Sequence, residues 1–170
     1  MKMIKAKHSR ALLVLLIPLI GALLVTQSLQ AQNTDPQQKL SKGFMDSATS
    51  ALVNIHSVKQ NILNIVQNNL PSGYYDPKLA MSAYEQVRQA QIAATTNGDQ
   101  QAAAQLGTYF QQVKSWAEKY KEARQDMDAT DTMNRDDITE DPQLQSIVAC
   151  EKGLNNMLIS RVYTNVDSCQ

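Results

Sequence analysis

Apolar positions are distributed in two ways along this chain. One unbroken run lies near the N-terminus, and in four later stretches apolar residues recur at steps of three and four. Those steps match the repeat of an α-helix, so each stretch predicts a helix with one apolar face. The longest runs from Gln37 to Asn69, with Leu40, Phe44, Ala48, Leu52, Ile55, Val58, Ile62 and Ile65 or Val66 in one near-heptad stripe. At about 1.5 Å per residue it would extend about 50 Å, long for a small domain. The second, Pro77 to about Thr96, places Ala80, Tyr84, Val87, Gln91 and Ala94 on one face. The third, from about Asp99 to Asp126, carries Ala102, Leu106, Tyr109, Phe110, Val113, Trp116, Ala117, Tyr120 and Ala123. The fourth, Pro142 to Ile159, carries Leu144, Ile147, Val148, Leu154, Met157 and Leu158.

Three Asp-Pro dipeptides punctuate the pattern: Asp35-Pro36, Asp76-Pro77 and Asp141-Pro142. Asp is a good helix N-cap, and Pro is tolerated at the first helical position, where the missing N–H has no intrahelical partner. Leu70-Pro71-Ser72-Gly73 ends the first helix, and Asn97-Gly98-Asp99 reads as a stop, a turn and a new cap. A helix with a single apolar face must bury it against another, and short links favour antiparallel neighbours. The expected fold is therefore all-α: an up-and-down bundle of three to four helices with a long first helix. Residues 32–127 supply the long helix and a helical hairpin, 128–141 an acidic loop, and 142–170 the last helix and a tail, all one domain.

The unbroken run changes the picture of where this domain resides. Lys2, Lys5, Lys7 and Arg10 precede Ala11 to Val25, which is apolar but for Pro18 and Gly21, and Thr26 to Ala31 is polar and small. A positive start, a short apolar core and a small-residue end make a bacterial-type secretory signal, 1–31. Cleavage fits best after Ala31, with a second site at Thr26-Gln27-Ser28. Retention as an anchor fits less well, because a spanning helix needs about 20 apolar residues and this run contains a helix-breaking proline. Four of the 16 basic residues precede residue 32 and none of the 16 acidic ones do, so the processed chain carries a net charge of −4. A mildly acidic surface argues against non-specific nucleic-acid binding, which needs a basic face.

Export also gives the two cysteines a meaning. In an oxidising compartment Cys150 and Cys169 are expected to pair. On one continuous helix they would lie about 28 Å apart, whereas a disulfide needs Cα atoms within about 7 Å. A bridge within the chain therefore requires a turn back after about Ser160; a bridge between chains or free thiols are the alternatives. Val162, Thr164 and Val166 alternate as extended chain would, and Asn165 and Asp167 suit a turn. No Cys-x-x-Cys is present, which argues against thioredoxin-type chemistry.

Candidate chemistry is sparse. Asp126, Asp128, Thr130, Thr132, Asn134 and Asp137 fall at the oxygen-ligand offsets of a Ca²⁺ loop. Asp131 stands where that loop requires Gly, and Asp137 replaces the longer bidentate Glu, so a solvated linker is the better reading. His56, the one histidine beyond the signal, lies beside a core stripe and reads as structural or surface. The aromatic group Tyr109, Phe110, Trp116 and Tyr120 has the spacing of a helix core. Tyr74 and Tyr75 sit at a turn and are the best candidates for contact with a partner. No nucleophile elbow and no phosphate-cradling glycine loop is present, and neither enzyme activity nor a cofactor is expected.

Long amide-rich helices with narrow apolar stripes suit assembly into something larger. The general outline resembles that of exported helical subunits of conjugation or type IV secretion systems, a likeness of architecture alone. The expectation is a non-catalytic interaction or assembly protein of the bacterial envelope, periplasmic or secreted, with a protein partner or self-association through its amphipathic helices. The alternative is a periplasmic bundle that binds a ligand or Ca²⁺.

Overall fold

Ser41 begins the first helix by offering its Oγ to the Phe44 N–H at 3.3 Å, the usual service of a serine N-cap. Helix α1 spans Lys42–Gln67. Its start corrects the expectation of a helix from Gln37, because Gln38 to Leu40 are not helical. Leu40 is claimed instead by the core and by the C-terminal tail, donating its N–H to the Arg161 carbonyl at 2.9 Å. At the other end Asn69 takes the left-handed conformation (φ 49°). Its N–H bonds the Val66 carbonyl and that of Leu70 the Ile65 carbonyl, a Schellman stop. The computed structural model describes residues 38–127 and 138–170; the predicted signal and most of the acidic loop lie outside them. The described residues belong to one compact unit, Gln37–Gln170.

Helix α2 spans Pro77–Ala93 and is capped as its sequence suggests, Asp76 Oδ1 accepting from the Lys78 N–H at 2.9 Å with Pro77 at the first position. Asn61 of α1 braces the preceding turn, accepting from the Asp76 N–H and donating to the Tyr74 carbonyl. The buried face of α2 is Ala83, Val87 and Ala90. This corrects the predicted face: Tyr84 and Gln91 are exposed. Small alanines let α2 lie close along α1, and the bulkier tyrosine is left outside.

Helix α3 spans Asn97–Gln125. Thr96, one residue outside the helix, is its cap, accepting from the Asp99 N–H at 3.3 Å, so Asp99 is an interior first-turn residue rather than the predicted cap. Its carboxylate is fully buried and accepts from the Ser41 N–H at 2.9 Å, joining the starts of α1 and α3. Both helix dipoles favour an anion there. The predicted aromatic stripe is buried, with Trp116 and Tyr120 edge to face at 5.1 Å. It ends at Tyr120: Ala123 is exposed, and Arg124 is buried in its place, donating to the Leu70 carbonyl at 3.1 Å.

Helix α4 spans Pro142–Ser160. Asp141 caps it through the Gln143 N–H (2.8 Å) and also accepts from the Tyr120 hydroxyl (2.8 Å) and the Lys119 ammonium (3.2 Å). Leu144, Ile147, Cys150, Leu154 and Met157 face inward. Arg161, left-handed at φ 60°, then reverses the chain, and the tail runs back to a disulfide between Cys150 and Cys169 with Cα atoms 5.0 Å apart. The alternation in the tail gives only one antiparallel bridge, Lys39 to Val162, before a short 3₁₀ turn at Asp167–Cys169. The fold is all-α, with four helices and no strand among the described residues.

Candidate functional site

Along α1, Leu52, Ile55 and Val58 are buried while Thr49, Val53, His56 and Ser57 lie to one side of that stripe. Along α4, Leu154 and Met157 are buried, and Asn155 and Ile159 are exposed. Where the two helices lie beside each other these side rows form a groove of about 430 Å³, lined by Thr49, Leu52, Val53, Ser57, Leu158 and Ile159 among others. Its lips are apolar and open to solvent, Val53 at 61% and Ile159 at 80% exposure. Isolated exposed apolar residues are ordinary; two facing each other across a groove are not.

One end of the groove is polar. Glu151 on α4 accepts from His56 Nδ1 at 2.6 Å and, with its other oxygen, from the Lys59 ammonium. Lys59 is buried, its stem packed into α1's inner face. A buried ammonium is costly unless paired, which Glu151 provides. Burial raises the Glu151 pKa, but the hydrogen bonds from Lys59 and His56 and the Lys59 charge outweigh it, and the carboxyl lies below its ordinary range. Beneath them the buried Tyr109 hydroxyl is held protonated, first by burial and then by the neighbouring Glu151 charge, both of which push its pKa well above the usual phenol range. In the neutral ring the carboxylate keeps the His56 proton on Nδ1, leaving Nε2 as an acceptor. The cluster therefore offers a hydrogen-bonding anchor beside an apolar surface. It holds no activated nucleophile, since Glu151 is already engaged twice and Ser57 donates to its own Val53 carbonyl.

The residues singled out from sequence fall elsewhere. Cys150 and Cys169 are joined and buried. Tyr74 is exposed; Tyr75 is half-buried against the core, with the Lys121 ammonium 5.4 Å from its ring centre. The two tyrosines thus face different surroundings and do not form one patch with the groove. Of the calcium candidates, Asp126 is exposed at the C-cap of α3, and Asp128, Thr130, Thr132, Asn134 and Asp137 lie outside the described residues. Among the described residues no three His, Cys, Asp or Glu side chains converge to hold a metal.

The sequence alone gives His56 no carboxylate partner, because Glu151 lies 95 residues away. The one available signal was Lys59 itself, a cation inside the apolar stripe between Val58 and Ile62. An interior cation announces a partner without saying which. No known protein family, curated protein or solved structure matches the chain.

Proposed function

We propose that this chain is an exported, non-catalytic interaction protein of the bacterial envelope, a helical bundle released from its signal, and that it holds a partner in the α1/α4 groove. The observation that carries the reading is the pair of exposed apolar lips, Val53 and Ile159, flanking a groove whose polar end is a fixed His56–Glu151–Lys59 cluster. From Thr49 to Ser57 the groove follows α1 for about 12 Å, a little over two helical turns. That length suits an amphipathic helix of a partner protein, whose apolar face would lie between the lips while a polar side chain meets His56 at the end. Such a partner would be a component of the envelope, and an accessory role in a secretion or conjugation machine is consistent with the architecture.

A photo-crosslinking amino acid at position 53, with the protein expressed in its exported form, tests this directly. The expected result is one discrete adduct with an envelope protein, lost on Ile159→Glu while the melting temperature is unchanged. A protein that yields no adduct and leaves the envelope alone on gentle extraction would overturn the reading.

A further inference from the structure

The outward face of α2 carries an unusual sequence. Met81, Glu85, Arg88 and Ile92 recur at steps of four, three and four, the spacing of a coiled-coil seam. They stand on the side of α2 opposite its buried Ala83, Val87 and Ala90. The two ends of the seam are large and apolar, Met81 at 71% and Ile92 at 63% exposure. Tyr84, also exposed, extends the apolar surface at one edge and touches Phe110 of α3 with ring centres 6.1 Å apart. In between stand Glu85 and Arg88, a weak pair at 3.3 Å within one helix, both largely open to solvent.

This order is complementary to itself when reversed: apolar meets apolar, and each charge meets its opposite. If a second α2 lies antiparallel across the first, with a two-fold axis between Gln86 and Val87, Met81 faces Ile92 and Glu85 faces Arg88. Both relations occur twice by symmetry. An isologous interface demands such self-complementarity, residue i meeting j and j meeting i. A parallel arrangement in register would instead set Glu85 against Glu85 and Arg88 against Arg88, and like charges directly opposed disfavour it.

We propose that two copies of this chain associate through an antiparallel α2–α2 contact, with Glu85 and Arg88 exchanging partners between protomers and Met81 closing on Ile92. The seam is about 16 Å long, so the contact is at the small, weak end of protein interfaces and the dimer is concentration-dependent. This face is separate from the α1/α4 groove, and either reading can fail without the other.

Sedimentation velocity on the purified protein provides the test, with charge reversal as its control. The wild type is expected to shift from monomer toward dimer between about 10 and 500 µM. E85R makes the seam wholly basic and R88E makes it wholly acidic, so each alone should lose association at least about tenfold. An equimolar mixture of the two should recover it as a heterodimer, and the double swap E85R/R88E should recover the homodimer. Circular dichroism checks that each variant folds. Should one reversal unfold the chain, the double swap, which keeps the helix's net charge, still decides. A wild type that stays monomeric throughout would overturn the proposal, as would single reversals without effect or a mixture and double swap that fail to recover.

Discussion

At the scale of the residue, the most consequential position is Glu151, which neutralises the buried Lys59 and orients His56 at once. Glu151→Gln would leave the Lys59 ammonium buried beside a neutral amide. Breaking a fully buried pair costs about 3–5 kcal/mol; Glu151 keeps some exposure, so a loss of about 2–3 kcal/mol is expected in urea unfolding at pH 7. Adding Lys59→Met should restore much of it, since the unpaired charge is then gone. The pH dependence has a definite sign. Because the folded pKa of Glu151 lies below its ordinary 4.5, the paired carboxylate stabilises the fold above about pH 4.5, and that contribution is lost as pH falls through the folded value. Asp141, also held low because hydrogen bonds from Gln143, Tyr120 and Lys119 outweigh its burial, adds to the same acid loss. The wild-type stability curve should therefore fall more steeply below pH 4.5 than that of Glu151→Gln. Parallel curves would show that the pair contributes little. None of this was legible from the sequence except the oddity of Lys59, because a pair closed by tertiary folding leaves no local trace.

At the scale of the element, what could be read depended on whether local or distant groups decide. The starts of α2 and α4 follow from Asp-Pro, since cap and first-turn proline act within three residues. The start of α1 does not, because Leu40 is drawn out of the helix by the tail. The buried face of α2 lies about one position from the one that periodicity predicts for a similar reason: periodicity favours the large Tyr84, whereas close packing on α1 selects alanine. Gly153 shows the same dependence on distant chain. It sits within α4, where glycine costs about 1 kcal/mol against alanine. A Cβ there would run into the Val166 side chain. The missing side chain is a notch that seats the returning tail three residues from each cysteine of the disulfide. Gly153→Ala should therefore destabilise by about 1–3 kcal/mol despite its better helix propensity. The paired variant Gly153→Ala with Val166→Ala should recover part of the loss in chemical denaturation. A stabilised single variant would mean that the tail gives way freely and that the notch is incidental.

At the scale of the whole molecule, the tail is the piece that joins the most distant parts of the chain. Residues 161–163 bond the backbone of 38–40, Gln105 of α3 holds Asn165 at 2.8 Å, Gln112 donates to the Ser168 carbonyl, and Cys169 is locked to Cys150. The class of fold and the existence of this return could be deduced from periodicity and from the reach of a disulfide; which elements the tail would strap together could not, since amides such as Gln105 carry no directional signal. The strap makes the N-terminal arm depend on the disulfide. Closing a loop of this size removes about 3 kcal/mol of chain entropy from the unfolded state. In Cys150→Ala/Cys169→Ala the tail keeps a few hydrogen bonds, the seat of Val166 and the packing of Tyr163 on the core, which must then offset the entropy of ordering about ten residues. The tail should release locally before the helices melt. Because Gln38 and Leu40 bond, among the described residues, only to the backbone of the tail, they should be released together with it. Hydrogen exchange of the double variant should then show the amides of Leu40 and Tyr163 losing protection in step, while those in the middle of α1 and α3 keep theirs. Loss of protection at Tyr163 alone would mean that Leu40's burial in the core holds the arm without the strap.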